Sequence, residues 1–193
     1  MKTLICAMLF LTLCFLFIVR WSVNAVGKSV NFQTPISEAK DDYQFPWPGI
    51  LPDRTFLYKL KVFRNKIITK IIYSSVKRIE FDLLMADKTL YASKLLLDKG
   101  KSELAKETAL KGENYFSILV SDYGAVLTKK QKVPDNLNQK ITRAYEAQQR
   151  LITYLTDKAP PDDKETYRQV DYFSKSNYQS LVDLQKQKNR AIR

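Results

Sequence analysis

After residue 53, apolar side chains return every third or fourth position, the period of one helix face, and no segment alternates apolar and polar residues as a half-buried strand would. The pattern predicts five helices. The first starts at Asp53, a suitable N-cap, and runs to about Tyr73 on Phe56, Leu57, Leu60, Phe63, Ile67, Ile68, Ile71 and Ile72. Ser74 and Ser75 can cap a second, from Val76 to about Asp98, with one stripe through Val76, Ile79, Leu83, Ala86, Leu90 and Leu97 and another through Phe81, Leu84, Tyr91 and Leu95. A helix apolar around so much of its circumference belongs at the centre of a bundle.

Gly100 supplies a left-handed stop, and Ser102 starts a third helix after a turn so short that the two must be antiparallel neighbours. This helix reaches about Lys129 through Leu104, Ala105, Thr108, Ala109, Tyr115, Phe116, Leu119, Tyr123 and Leu127. Gly112 and Gly124 weaken it by about 1 kcal/mol each relative to alanine, which points to a close helix approach or a local bend. Pro134 opens a fourth helix ending near Asp157, and Pro160-Pro161 punctuate it. A fifth, from about Asp162 to Lys188, has the poorest face, with Tyr167, Val170, Phe173, Asn177, Leu181 and Leu184, and is expected to be the least stable.

Two stretches precede these helices. Leu4 to Val19 is apolar but for Thr12, follows Lys2, and leads into Ser22-Val23-Asn24-Ala25, whose small residues suit a signal-peptidase cut. Residues 1–25 therefore read as an export signal, either cleaved or kept as an anchor with Arg20 and Trp21 at the membrane interface. Both forms place the rest of the chain outside the cytoplasm. Residues 26–45 read as a flexible linker, and residues 46–190 as the helical domain. Phe45-Pro46-Trp47-Pro48-Gly49-Ile50-Leu51-Pro52 is too rich in proline for a helix and too apolar for open water, so it should lie extended on the bundle with Trp47, Ile50 and Leu51 as anchors. The expected fold class is all-α, a largely antiparallel bundle.

The segment Pro48-Gly49-Ile50-Leu51-Pro52-Asp53, followed by Phe56-Leu57-Tyr58-Lys59-Leu60-Lys61, resembles the entry motif of an exported bacterial helical family, domain of unknown function 5667. That motif reads roughly Pro-Gly-x-Leu-Pro-Asp-Ser-Pro-x-Tyr-x-x-Lys. Lys77-Arg78-Ile79-Glu80, Ala86-Asp87-Lys88-Thr89-Leu90, the Lys99-Gly100-Lys101 turn and Val133-Pro134 are similar to the family too. The chain departs from it at Arg54-Thr55, where the family has Ser-Pro, and at Thr89, where it has Arg. The second departure removes a partner for Asp87, leaving Lys88 or Lys94 to pair with it at the surface. The resemblance implies export and a helical fold, and brings no activity with it.

Composition narrows the chemistry. The chain has no histidine, which removes imidazole catalysis, Ser-His-Asp triads and helical zinc motifs together. Its two cysteines, Cys6 and Cys14, fall in the leader, and its five glycines form neither a phosphate loop nor a dinucleotide fingerprint. No cofactor, metal or catalytic residue is expected. A carboxylate-dependent hydrolase would need Glu80 with Asp87, or Glu103 with Glu107, pairs whose spacing is also that of solvated helix faces. The tyrosines Tyr91, Tyr115, Tyr123, Tyr145 and Tyr167 lie on apolar stripes, where packing explains them better than base or sugar stacking.

The net charge is +12, and +10 beyond residue 25. A surplus of that size favours polyanions, and a candidate surface is Lys59, Lys61, Arg64, Lys66, Lys70, Lys77 and Arg78 on the first two helices. The expected function is a noncatalytic, envelope-associated domain whose partner is an envelope protein. The alternative is a basic module for anionic lipid or another envelope polyanion, with the first helix lying on a membrane rather than facing a core. Nucleic acid and small-molecule substrates are not expected.

Overall fold

Five α-helices make up most of residues 43–191, the part of the chain that the computed structural model describes. They are α1 (Thr55–Ile71), α2 (Ser75–Asp98), α3 (Ser102–Thr128), α4 (Asp135–Lys158) and α5 (Lys164–Ala191), with a 3-10 turn over Pro161–Asp163 before α5. No strand occurs among the described residues, and no helix there is long and apolar enough to cross a membrane. The expected leader, and residues 26–42 of the expected linker, lie outside them.

Helices α2 to α5 form a four-helix bundle whose order follows from the contacts between them. Helix α2 packs most extensively on α3, and the remaining close pairs are α3 with α5, α2 with α4, and α4 with α5. Ser93 Oγ donates to the Ala105 carbonyl at 2.7 Å near one end of the α2–α3 pair, and Arg78 meets Asp122 near the other, so these helices are antiparallel. Between α3 and α5, Lys106 pairs with Asp163 and Glu113 with Asn177, so these two run the same way. Asp87 with Gln148 and Asp98 with Tyr154 likewise make α2 and α4 parallel. The link from α3 to α4 therefore crosses the bundle's diagonal, and Val133 within it is fully buried as a plug under that end.

The core is continuous with that topology. Ile79, Leu83, Phe116, Leu119, Tyr123, Val126, Ile141 and Leu181 are buried together, and a second cluster joins Leu90, Ala109, Ile152, Leu155, Tyr167 and Val170. Each fully buried side chain of this size contributes about 1.5–3 kcal/mol. Residues 42–193 form a compact unit, and these clusters lie wholly within it. Helix α5 buries Tyr167, Val170, Ser174 and Leu181, so it is better seated than its sequence suggests, although Phe173 turns outward.

Ends of the helices follow local chemistry. Ser74 caps α2 by accepting from the Lys77 amide at 3.5 Å. Gly100, at φ 72°, lets the amides of Gly100 and Lys101 close back on the Leu97 and Leu96 carbonyls. Lys130, at φ 55°, does the same at the end of α3 without the help of glycine. Asp53 is not the N-cap of α1. That position is Arg54, which makes no side-chain cap, while Asp53 pairs with Lys101 at 3.0 Å and Lys99 at 3.6 Å.

The two glycines of α3 have different reasons to exist. A Cβ on Gly112 would stand 3.1 Å from the Leu90 backbone nitrogen and 3.4 Å from the Ala86 carbonyl, so the close approach of α2 requires its absence. At Gly124 a Cβ would meet only Leu184 side-chain carbons, at 3.7 and 3.9 Å, an ordinary contact. Gly124→Ala is therefore expected to raise stability by about 0.5–1 kcal/mol through helix propensity, read from the midpoint of urea unfolding.

The segment before α1 does lie along the bundle, held by Leu51 as expected and by further anchors that the sequence did not point to. Tyr43 donates to Asp87, Phe45 stacks on Tyr91 at 5.8 Å between ring centroids, Pro48 is buried, and Leu51 enters a cluster with Ala92, Leu96 and Ala105. Trp47 instead remains exposed. The strap so formed runs in the same direction as α2.

Candidate polyanion-binding surface

Helix α1 is the exception to the bundle's packing. It makes no close helix pairing comparable to those of α2 to α5. Its more covered side is formed by Tyr58, Lys61, Val62, Asn65, Ile68 and Ile72, of which only Asn65 is buried, the others being half-covered. Polar atoms make much of that contact. Asn65 Nδ2 approaches Met85 Sδ at 3.6 Å, and Lys61 Nζ donates to the carbonyls of Pro48 at 2.7 Å and Ile50 at 3.0 Å.

On the opposite side, Phe56, Leu60, Phe63, Ile67 and Ile71 follow one another by three or four residues, and all are exposed. Phe56 keeps 78% of its surface, Phe63 62% and Ile71 61%. The expected core-facing role of α1 is thus overturned. The apolar stripe was read correctly as a stripe, but Asn65 and Lys61 take the bundle side because they find a sulfur and two strap carbonyls there.

The seven basic residues predicted from sequence divide into two groups. Lys59, Lys66 and Lys70 stand exposed along one edge of the apolar stripe, Arg64 is exposed along the other, and Lys77 is exposed at the start of α2. Helix α1 contains no acidic residue to offset them. Lys61 and Arg78 are turned to structural tasks instead. Burial, with Lys88 and Arg64 nearby, pushes the Lys61 ammonium down to about 8. Arg78 donates to the Ile72 carbonyl at 3.3 Å and approaches Asp122 at 3.7 Å, tying the end of α1 to α2 and α3.

A shallow apolar depression beside α1, lined by Tyr58, Lys59, Val62, Phe63 and Lys66, widens the same surface.

The candidate hydrolytic pairs are not brought together as sites. Glu80 is exposed, whereas Asp87 is buried with one carboxylate oxygen bound by Tyr43 and the other by Gln148 at 2.8 Å. Neither Lys88 nor Lys94 pairs with Asp87, because it faces inward between α2 and α4, and Lys94 bonds Asp98 at 2.6 Å instead. Glu103 pairs with Lys106, and Glu107 with Lys111. Among the described residues no group of three or more metal-ligating side chains converges.

Sequence reasoning missed two further buried acids. Asp82 lies between α2 and α3 near Asp122, and burial, reinforced by that neighbour and opposed by Arg78, raises its carboxyl to about 7. Glu113 accepts from Asn177 at 2.7 Å, and burial raises it to about 7 against the opposing bonds of Asn177 and Ser174. Their signal was present as an acid within a core stripe: Asp82 follows Ile79 by three, and Glu113 precedes Phe116 by three.

No family model matches the chain, and no curated protein or solved structure matches it either.

Proposed function

We propose that this protein is a noncatalytic extracytoplasmic module that binds anionic surfaces through α1 and the start of α2. The observation that carries the reading is a helix with five basic residues and no acid, lying outside the four-helix core with Lys59, Arg64, Lys66 and Lys70 exposed. A helix serving only the core would turn its apolar residues inward and leave a mixed-charge outer face. The leader-like residues 1–25 support an extracytoplasmic setting, where anionic headgroups and envelope polymers are the available polyanions.

Each exposed lysine near an anionic surface contributes about 1 kcal/mol, and the attraction is screened by salt. Residues 42–193 are expected to bind phosphatidylglycerol vesicles and dextran sulfate at 50 mM salt, as about 50 mM lies in the weakly screened range, and near 500 mM to release dextran sulfate and to hold the vesicles more weakly. Lys66→Gln combined with Lys70→Gln should weaken binding about 30-fold. Binding equal in the parent and the double variant, or none at low salt, refutes the proposal. Co-sedimentation and fluorescence anisotropy provide the readings.

A further inference from the structure

We infer that the occupant of the α1 face is a phospholipid bilayer, with the helix lying along the interface and Phe56, Leu60, Phe63, Ile67 and Ile71 in the acyl region. This rests on the anionic-surface reading above and names the partner within it.

Charge alone does not explain the surface. The apolar stripe spans from residue 56 to 71, about 22 Å at 1.5 Å per residue, and it points away from the bundle. A soluble polyanion would engage the lysines and leave five large apolar side chains in water. A second copy of α1 would cover the stripe but bring two acid-free rows of lysine together. A bilayer satisfies both requirements. The stripe enters hydrocarbon while Lys59, Lys66 and Lys70 on one edge, and Arg64 on the other, extend their apolar stems and reach phosphates with their charged ends.

Two more observations fit a helix lying in the plane of an interface. Exposed aromatic residues stand before and after it in sequence, Trp47 in the strap and Tyr73 just past its end, keeping 65% and 92% of their surfaces. Trp and Tyr favour the headgroup layer, where an apolar ring and a polar atom are both accommodated. Lys61 and Arg78, bonded to the strap and to the Ile72 carbonyl, hold the helix with Asn65 and its neighbours inward, so the stripe is presented without rearrangement.

The test uses residues 42–193, the compact unit that contains the core clusters. Leu60→Ser with Ile67→Ser keeps every charge and removes the middle of the stripe. Vesicle binding is expected to fall about a hundredfold, since each of the two aliphatic side chains is worth about a factor of ten or more in affinity, while dextran sulfate binding and the thermal midpoint stay unchanged. In a second protein, Trp47→Phe with Phe63→Trp, fluorescence should shift to the blue on phosphatidylglycerol vesicles and be quenched by brominated acyl chains.

Equal vesicle binding by parent and serine variant, or a tryptophan at position 63 that brominated chains do not reach, overturns the inference and leaves the anionic-surface reading standing. A parent dimer in analytical ultracentrifugation that the serine variant dissolves overturns it in favour of a second copy. Failure of the parent to bind either vesicles or dextran sulfate removes the underlying reading, and the inference with it.

Discussion

Gly112→Val is expected to destabilise the protein by about 3 kcal/mol, lowering the thermal midpoint by roughly 10 °C in a unit of this size. The cause lies in what a side chain there would strike. The nearest atoms are backbone, the Leu90 nitrogen at 3.1 Å and the Ala86 carbonyl at 3.4 Å, and neither can rotate aside as the end of a leucine can. Relief requires α2 and α3 to separate, and that pair carries the most extensive packing in the bundle. Separation would loosen Leu83, Phe116 and Leu119 together. The gain from replacing a helical glycine offsets no more than about 1 kcal/mol of this. Far-UV circular dichroism during thermal and urea unfolding gives the value, with Gly124→Ala as the internal contrast on the same helix. A Gly112→Val protein as stable as the parent would show that the inter-helix distance is not what this glycine sets.

Stability should also fall as pH rises through the neutral range, by about 5 kcal/mol between roughly pH 5 and 8, because two raised carboxyls act in the same direction. Asp82 and Glu113 are held up to about 7 by burial, above the unfolded carboxylate range near 4. Between about pH 4 and 7 the folded chain therefore binds protons that the unfolded chain has released, and raising pH draws the equilibrium toward the unfolded state. Above about pH 8 both carboxyls are ionised in both states and the slope levels off. Burial also raises Asp87, despite its bonds from Tyr43 and Gln148, which adds to the same trend. Lysine partners lower Asp53 and Asp163 instead, and their contribution is lost only toward acid. Asp82→Asn and Glu113→Gln should each flatten the decline, and urea midpoints measured at intervals of pH would show it. An unchanged profile in both variants would assign the decline to other groups.

The helices were legible because their punctuation is local. Gly100, Ser74, Pro134 and Pro160-Pro161 act through their own backbone geometry, so the ends came out within one to three residues. The order of the helices in space was not legible, since a short connection specifies antiparallel neighbours but does not distinguish an adjacent from a diagonal partner. Val133 is the residue that fits the diagonal crossing, and in the sequence it is one valine before a proline.

The orientation of α1 was misread for a more general reason. Periodicity finds an apolar stripe and is silent on what covers it. The basic residues were found, but Lys61 and Arg78 could not be told from their neighbours, because their partners are the carbonyls of Pro48, Ile50 and Ile72. Asp87 was given a surface lysine as partner when Tyr43, from the supposed flexible linker, was the group that reached it.

The strap has a mechanical consequence if the chain is held from its N-terminal side. Its contacts are met in the order Tyr43, Phe45, Pro48 and Leu51 along α2, so tension applied before residue 43 would peel them one after another instead of shearing them together. Peeling nine extended residues lengthens the chain by about 30 Å. Each contact yields in turn and limits the force passed to the bundle while that slack is spent, which makes the strap a series of weak links that shields the four-helix core from a sudden pull.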